Sequence, residues 1–208
     1  MKIQTPVEER WNWLTHGLGF ILSFIGLFFL FANDSQLTRY STFVIVLYSL
    51  SLMVLYFAST AYHYTSDEKL KRRFRIMDHI SIYFLIAGTY SPVTLITLLE
   101  GKGWLLFILV WSTAGIGTIL KLFFTGRFEA ISLILYLVMG WLIVLDMTNL
   151  MNKVGQEGIT FMILGGAAYT IGIIFYAMRR LKFHHVIWHL FVMAGSIFHY
   201  IFILKFVI

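Results

Sequence analysis

Apolar residues in this chain come in long runs separated by short polar connectors. Seven runs stand out, at about 14–32, 41–63, 77–99, 103–121, 129–147, 158–178 and 185–206. Each is long enough for the roughly 17–25 residues that a helix needs to cross a bilayer. The connectors are ANDSQLTRY, YTSDEKLKRRFR, EGKG, FTGRFE, TNLMNKVGQEG and RRLKFH, none of them rich in proline or serine. The pattern predicts an all-α, polytopic membrane protein: one seven-helix transmembrane bundle over residues 1–208, without linkers or internal repeats. Pro92 is expected to kink the third span. Gly88, Gly115, Gly117, Gly165, Gly166, Ala168 and Gly172 are small residues of the kind that let membrane helices approach closely.

Charge sets an orientation on this pattern. Of the sixteen Lys and Arg residues, twelve fall on one side if the chain alternates across the membrane. They are Lys2, Arg10, Lys69, Lys71, Arg72, Arg73, Arg75, Lys121, Arg127, Arg179, Arg180 and Lys182. The other side carries Arg39, Lys102, Lys153 and Lys205. Basic residues favour the cytoplasm, so the N-terminus is expected inside and the C-terminus outside, in a cell inner or plasma membrane. The same clustering explains the net charge of +6 as an orientation signal, with no nucleic-acid partner. The opening residues lack a basic region leading into a short apolar core and cleavage site, so they are read as a short cytoplasmic segment without a cleaved signal peptide. Composition agrees with this class: 59% of residues are hydrophobic and 12% charged, against about a quarter charged in soluble domains. There is no cysteine, which excludes disulfides, thiolate ligands and cysteine nucleophiles.

Ionisable residues inside membrane spans are functional candidates, and here they gather at one depth. Ser59 and His63 lie near the inner end of the second span, four apart and so on one helix face. Asp78 and His79 fall in the first turns of the third. His185 and His189, also four apart, open the seventh. Asn12 and His16 stand at the start of the first. Three imidazoles and a carboxylate near one layer are the ingredients of a metal site. Zinc takes three protein ligands in catalytic sites and leaves one position open. The competing reading is four interfacial histidines reaching toward headgroups. His199 lies ten residues beyond His189, roughly 15 Å along a helix, too far to share the same ion. It is expected to be a hydrogen-bonded bundle histidine. His184 faces the loop, and His79 points away from Asp78.

The stretches EERWNWLTHGLG, Ser59–His63, Arg75–Tyr83, GTYSP at Gly88–Pro92, and HHVIWHLF followed by His199 together resemble the bacterial hemolysin III proteins. That family is grouped with the progestin and adiponectin receptors and is related to the alkaline ceramidases. The resemblance covers essentially the whole chain. It implies a zinc site on His63, His185 and His189, one ion per chain, with the family aspartate at Asp78 and the family serine at Ser59. The hemolysin label itself implies cytolysis.

These residues are compatible with three functions. The first is a zinc-dependent hydrolase of amide or ester bonds in membrane lipids. Asp78 would serve as general base, and Ser59 would hydrogen-bond the water or the oxyanion. The substrate would arrive laterally from the bilayer, and TSDEKLKRRFR would meet anionic headgroups. The second is a membrane-state sensor or regulator held together by a structural metal. The third is a lytic pore, which would need a polar stripe through the full depth of several spans. Polar residues concentrate at one end instead, which argues against a wide aqueous channel. Imidazole donors also suit copper, iron and nickel.

Overall fold

The computed structural model describes residues 4–208. Among these residues the chain forms helices α1 (Pro6–Ala32), α2 (Ser41–Tyr64), α3 (Glu68–Pro92), α4 (Gly103–Phe124), α5 (Glu129–Trp141), α6 (Met147–Ala177) and α7 (His184–Phe206), with no strand. A π-helical turn, Val93–Thr97, prolongs α3, and a 3-10 segment, Leu142–Asp146, joins α5 to α6. Taken as continuous helical stretches, six are long and apolar enough to cross a membrane, because residues 129–177 run on as one stretch of 49.

Local chemistry explains where several helices start. α1 begins eight residues before the apolar run because Thr5 and Glu8 form a capping box ahead of it. The Glu8 amide donates to Thr5 Oγ1 at 3.3 Å, and the Thr5 amide donates to Glu8 Oε2 at 2.8 Å. Pro6 occupies the first turn, where its missing N–H leaves no gap. α3 starts at Glu68 because the Asp67 side chain accepts from the Leu70 amide at 2.9 Å. After Pro92, whose own backbone is helical, the winding changes to a π-turn in which the Leu98 amide reaches back five residues to Val93 O at 3.0 Å. Within α6, Gly155 has φ +67 and interrupts the helical backbone.

The exterior is apolar: Phe24, Phe28, Ile108, Ile116, Ile134 and Ile174 are all more than half exposed. An apolar outside has no counterpart in a soluble protein of this size; it suits lipid. α3 is the most enclosed helix, with 72% of its most apolar window buried against 28% for α1 and α4. It packs on α2 and α4, while α1 lies against α2 and α7, and α6 against α7. Small residues set the closest approaches. A Cβ on Gly88 would fall 2.1 Å from Ser51 Oγ on α2, and one on Gly117 would fall 2.4 Å from the Tyr83 ring. Gly115 and Gly166 have nothing within 4 Å of that position, so these two glycines do not mediate helix contact.

At the junction of α5 and the 3-10 segment, the Tyr90 hydroxyl donates to Gly140 O and accepts from the Ile143 amide, both at 2.9 Å. One buried side chain from α3 thus serves two backbone groups that the change of helix type would leave unpaired. At one end of the bundle, the starts of α1, α3, α5 and α7 meet the ends of α2, α4 and α6. Three contacts tie these termini together. Glu8 of α1 accepts from the Phe183 amide just before α7 at 2.9 Å. Glu9 reaches His63 at the end of α2. Glu129 pairs with Arg75 and Arg179.

Candidate metal centre

The end of α2 and the first turns of α7 bring His63, His185 and His189 together at this shared end. One ring nitrogen from each lies within 4.8 Å of the others, a group that could hold a metal ion. His63 and His189 are buried at 3% and 2% exposure, and His185 is half-buried. The Nε2 atoms of His63 and His185 are 3.2 Å apart. A tetrahedral ion with nitrogen bonds of about 2.0–2.1 Å sets its ligand nitrogens about 3.3 Å apart.

The opposite edges of two rings are tied down. His63 Nδ1 lies 2.5 Å from Glu9 Oε2, and Lys71 Nζ donates to the other Glu9 oxygen at 2.9 Å. His189 Nδ1 is 3.3 Å from Asn12 O and 3.4 Å from Thr15 Oγ1. With the protons on Nδ1, both Nε2 atoms keep free lone pairs for an ion. Such outer partners fix the tautomer and aim the ring of a metal-bound histidine. Without a cation or a proton between them, the facing Nε2 atoms of His63 and His185 would repel. The donor set therefore fits a metal on its chemistry and its supports alike.

His16 lies flat against His189, with ring centroids 3.6 Å apart and planes 8° from parallel. Both its nitrogens are buried without a hydrogen-bond partner. Asn12 is fully buried, 3.5 Å from His63 Nδ1. The start of α1 is thus a wall of the site, as its Asn12 and His16 suggested.

Asp78 and Ser59 share a cavity with His16, His185 and His189. The Ser59 hydroxyl sits beside the Asp78 carboxylate but makes no well-formed hydrogen bond, which leaves it available to a third group. His79 lines this cavity too, contrary to the expectation that it points elsewhere. His199 takes no part in the triad. It stacks on Tyr169 with centroids 5.6 Å apart and lines a second, apolar cavity between α3, α5, α6 and α7. Leu55, Ile82, Tyr136, Trp188 and Val192 line both spaces, so the polar chamber adjoins the apolar one.

Sequence reasoning missed two residues. Glu9 precedes the first apolar run and reads as part of a terminal segment. Its only signal is its place in EERWN, three residues from Asn12. Lys121 reads in the sequence as an inner loop charge, yet it is 3% exposed and lines the polar cavity. Lys2, counted with the same charges, lies outside the described residues. Glu9 yields a direct test. Glu9→Gln keeps the size of the side chain but weakens the charged support of His63. Metal affinity measured by chelator competition is expected to fall about 10–100-fold, the usual cost of losing such a partner. An unchanged affinity would remove Glu9 from the site.

Fold and site together define a polytopic α-helical membrane protein with a buried histidine triad at one end of its bundle. The chain belongs to the haemolysin-III related family, whose pattern matches residues 4–200. It is 41% identical over 190 residues to Hemolysin-3 of Bacillus cereus, covering 91% of this chain and 87% of that protein. It is 40% identical over 195 residues to the Hemolysin-3 homolog of Bacillus subtilis (strain 168), covering 92% and 91%. A more distant relative is the human monocyte to macrophage differentiation factor, 28% identical over 209 residues, covering 97% and 85%. No solved structure matches the chain.

Proposed function

We propose that this protein is a metal-dependent hydrolase of amide or ester bonds in membrane lipids. His63, His185 and His189 would hold one zinc ion per chain, with Asp78 as general base and Ser59 as a hydrogen-bond donor. One observation carries this reading. Two members of a histidine triad, His185 and His189, line a polar chamber that also holds a carboxylate and an unengaged hydroxyl, and that chamber adjoins an apolar cavity. A closed structural site would not need either space.

When bound, such an ion supplies Lewis acidity toward a carbonyl oxygen and a water. The chain's own residues do the rest. The apolar cavity would take the acyl chain and hold the scissile bond at the triad. Asp78 would accept the proton of the attacking water at its carboxylate and pass it to the leaving amine or alkoxide. The Ser59 hydroxyl would donate to the oxygen on which charge develops. The test is release of fatty acid from a panel of lipid amides and esters, in liposomes or detergent, by metal-replete protein. Persistent absence of release would favour the sensor or regulator, in which the metal is a staple. A lytic role would instead require solute leakage from the same liposomes.

The proposal includes seven crossings, with the N-terminus and the triad on the cytoplasmic side of a cell inner or plasma membrane. The 49-residue stretch of residues 129–177 would be about 74 Å long as one helix, more than twice the roughly 30 Å apolar core. Its interruption at Leu142–Asp146 and Gly155 supports reading it as two crossings. So does the meeting of the starts of odd-numbered helices with the ends of even-numbered ones. A reporter fused between α2 and α3, near Asp67, is expected to read as cytoplasmic; an external readout would reverse the orientation.

A further inference from the structure

Lys121 and Glu129 line the polar chamber, and α3 and the segment after α6 bring Arg75 and Arg179 to Glu129. Glu129 Oε2 is paired with Arg179, while Arg75 Nη2 stands 3.5 Å from Glu129 Oε1. That last distance is not a well-formed hydrogen bond. Arg75 Nε, Arg75 Nη2 and Glu129 Oε1 are all buried without a hydrogen-bond partner. Lys121, 3% exposed, is in the field of Glu129 and Arg75 but joins none of the ion pairs among the described residues.

The charged groups gathered here are the cations Arg75, Lys121 and Arg179 and the carboxylates Glu129 and Asp78. Arg179 is half exposed and already paired with Glu129, whereas Lys121 is a buried cation without an ion-pair partner among the described residues, and a buried charge without a counter-charge is costly in a bundle with an apolar exterior. Snorkelling to the headgroups would relieve an ordinary terminal lysine. Lys121 instead lines the polar chamber together with Asp78, His185 and His189, and that chamber adjoins the apolar cavity.

We infer that Lys121, supported by Arg75, is a binding site for the anionic oxygen group of a lipid whose chain occupies the apolar cavity. The shared chemistry is a single negative charge on oxygen, carried by a lipid phosphate diester or a fatty-acid carboxylate. Either would give Lys121 a counter-charge and the unpartnered guanidinium nitrogens of Arg75 acceptors, by charge-assisted hydrogen bonds that a neutral headgroup cannot match. The inference rests on the lipid-cavity part of the proposed function and is independent of bond cleavage.

The test is equilibrium competition against a fluorescent lipid, using the full chain in neutral detergent. The competitors are phosphatidylglycerol against phosphatidylcholine, and a long-chain fatty acid against the matching fatty alcohol. At least one anionic member is expected to win by about tenfold, equivalent to about 1.4 kcal/mol. The pair that shows the preference identifies the phosphate or the carboxylate as the source. Lys121→Met is expected to abolish the preference while leaving the affinity of the neutral competitors and the metal content unchanged. Lys121→Arg should retain it, which guards against misfolding as the cause. Lys69→Met, at an exposed position, should also retain it. Equal binding of anionic and neutral members by the wild-type protein would overturn the inference, as would a preference that survives Lys121→Met. Selective binding without fatty-acid release would leave this site standing and sink the hydrolase, whereas release without selectivity would do the reverse.

Discussion

Alanine at His63, His185 or His189 is expected to strip the purified protein of its metal, measured by elemental analysis as ions per chain. The expected wild-type value is about one. Each substitution removes one donor from a set of three nitrogens gathered within 4.8 Å, and two donors do not make a closed or a catalytic zinc site. The loss should exceed the roughly 10–100-fold expected when only a supporting partner is removed, so Glu9→Gln should rank between wild type and the three ligand variants. His199→Ala is the matched control. It removes an imidazole from the same helix, but one stacked on Tyr169 and lining the apolar cavity. Equal metal loss in all four alanine variants would show that folding, rather than coordination, had been disturbed, and the ligand assignment would fall. A His16→Ala variant that lost metal as completely as the triad variants would add a fourth donor, since His16 lies against His189.

Asp78→Asn is expected to separate chemistry from metal retention. Asparagine keeps the shape of the side chain and can hydrogen-bond a water. It cannot accept a proton at neutral pH. If Asp78 is the base, the variant should keep most of its metal while fatty-acid release falls about 10²–10⁴-fold, the usual size of such a contribution. The geometry permits the separation: Asp78 lines the chamber but is not one of the three grouped donors. Loss of the ion together with activity would make Asp78 a ligand. Full release by the variant would rule out its role as base.

The helical character was legible because apolar run length is a coarse signal, and every run lies within a helical stretch to within two residues. Helix starts were not legible to the same degree. The first turns of α1 are polar and amphipathic, and they are helical because Thr5, Pro6 and Glu8 cap them. A hydropathy reading begins only where those turns end. That error hid Glu9, which belongs to the added turns. The histidines could be placed at one depth because position along a span sets depth, and spacing by four sets a common face. Whether a charge near a span end turns outward or inward is decided by neighbouring helices. Lys121 and Lys69 therefore looked alike in the sequence, although one lines a chamber and the other is exposed. The small residues were ambiguous in the same way: Gly88 and Gly117 face close neighbours, whereas Gly115 and Gly166 face none.

The Tyr90 clasp on the end of α5 bears on how the protein matches its membrane. The α-helical part, 13 residues long, rises about 20 Å. The five residues of the 3-10 segment add about 10 Å, because that winding climbs about 2.0 Å per residue. On the seven-crossing reading, eighteen residues thus reach the roughly 30 Å of a bilayer core, where regular α-winding would stop about 3 Å short. The extra reach comes from uncoiling, and the hydroxyl of Tyr90 holds the uncoiled portion in place by serving Gly140 and Ile143 together. This strand of the bundle has already spent the elongation that winding can supply. In a thicker bilayer it would be the first to fall short, and the lipid around it would have to thin to meet it.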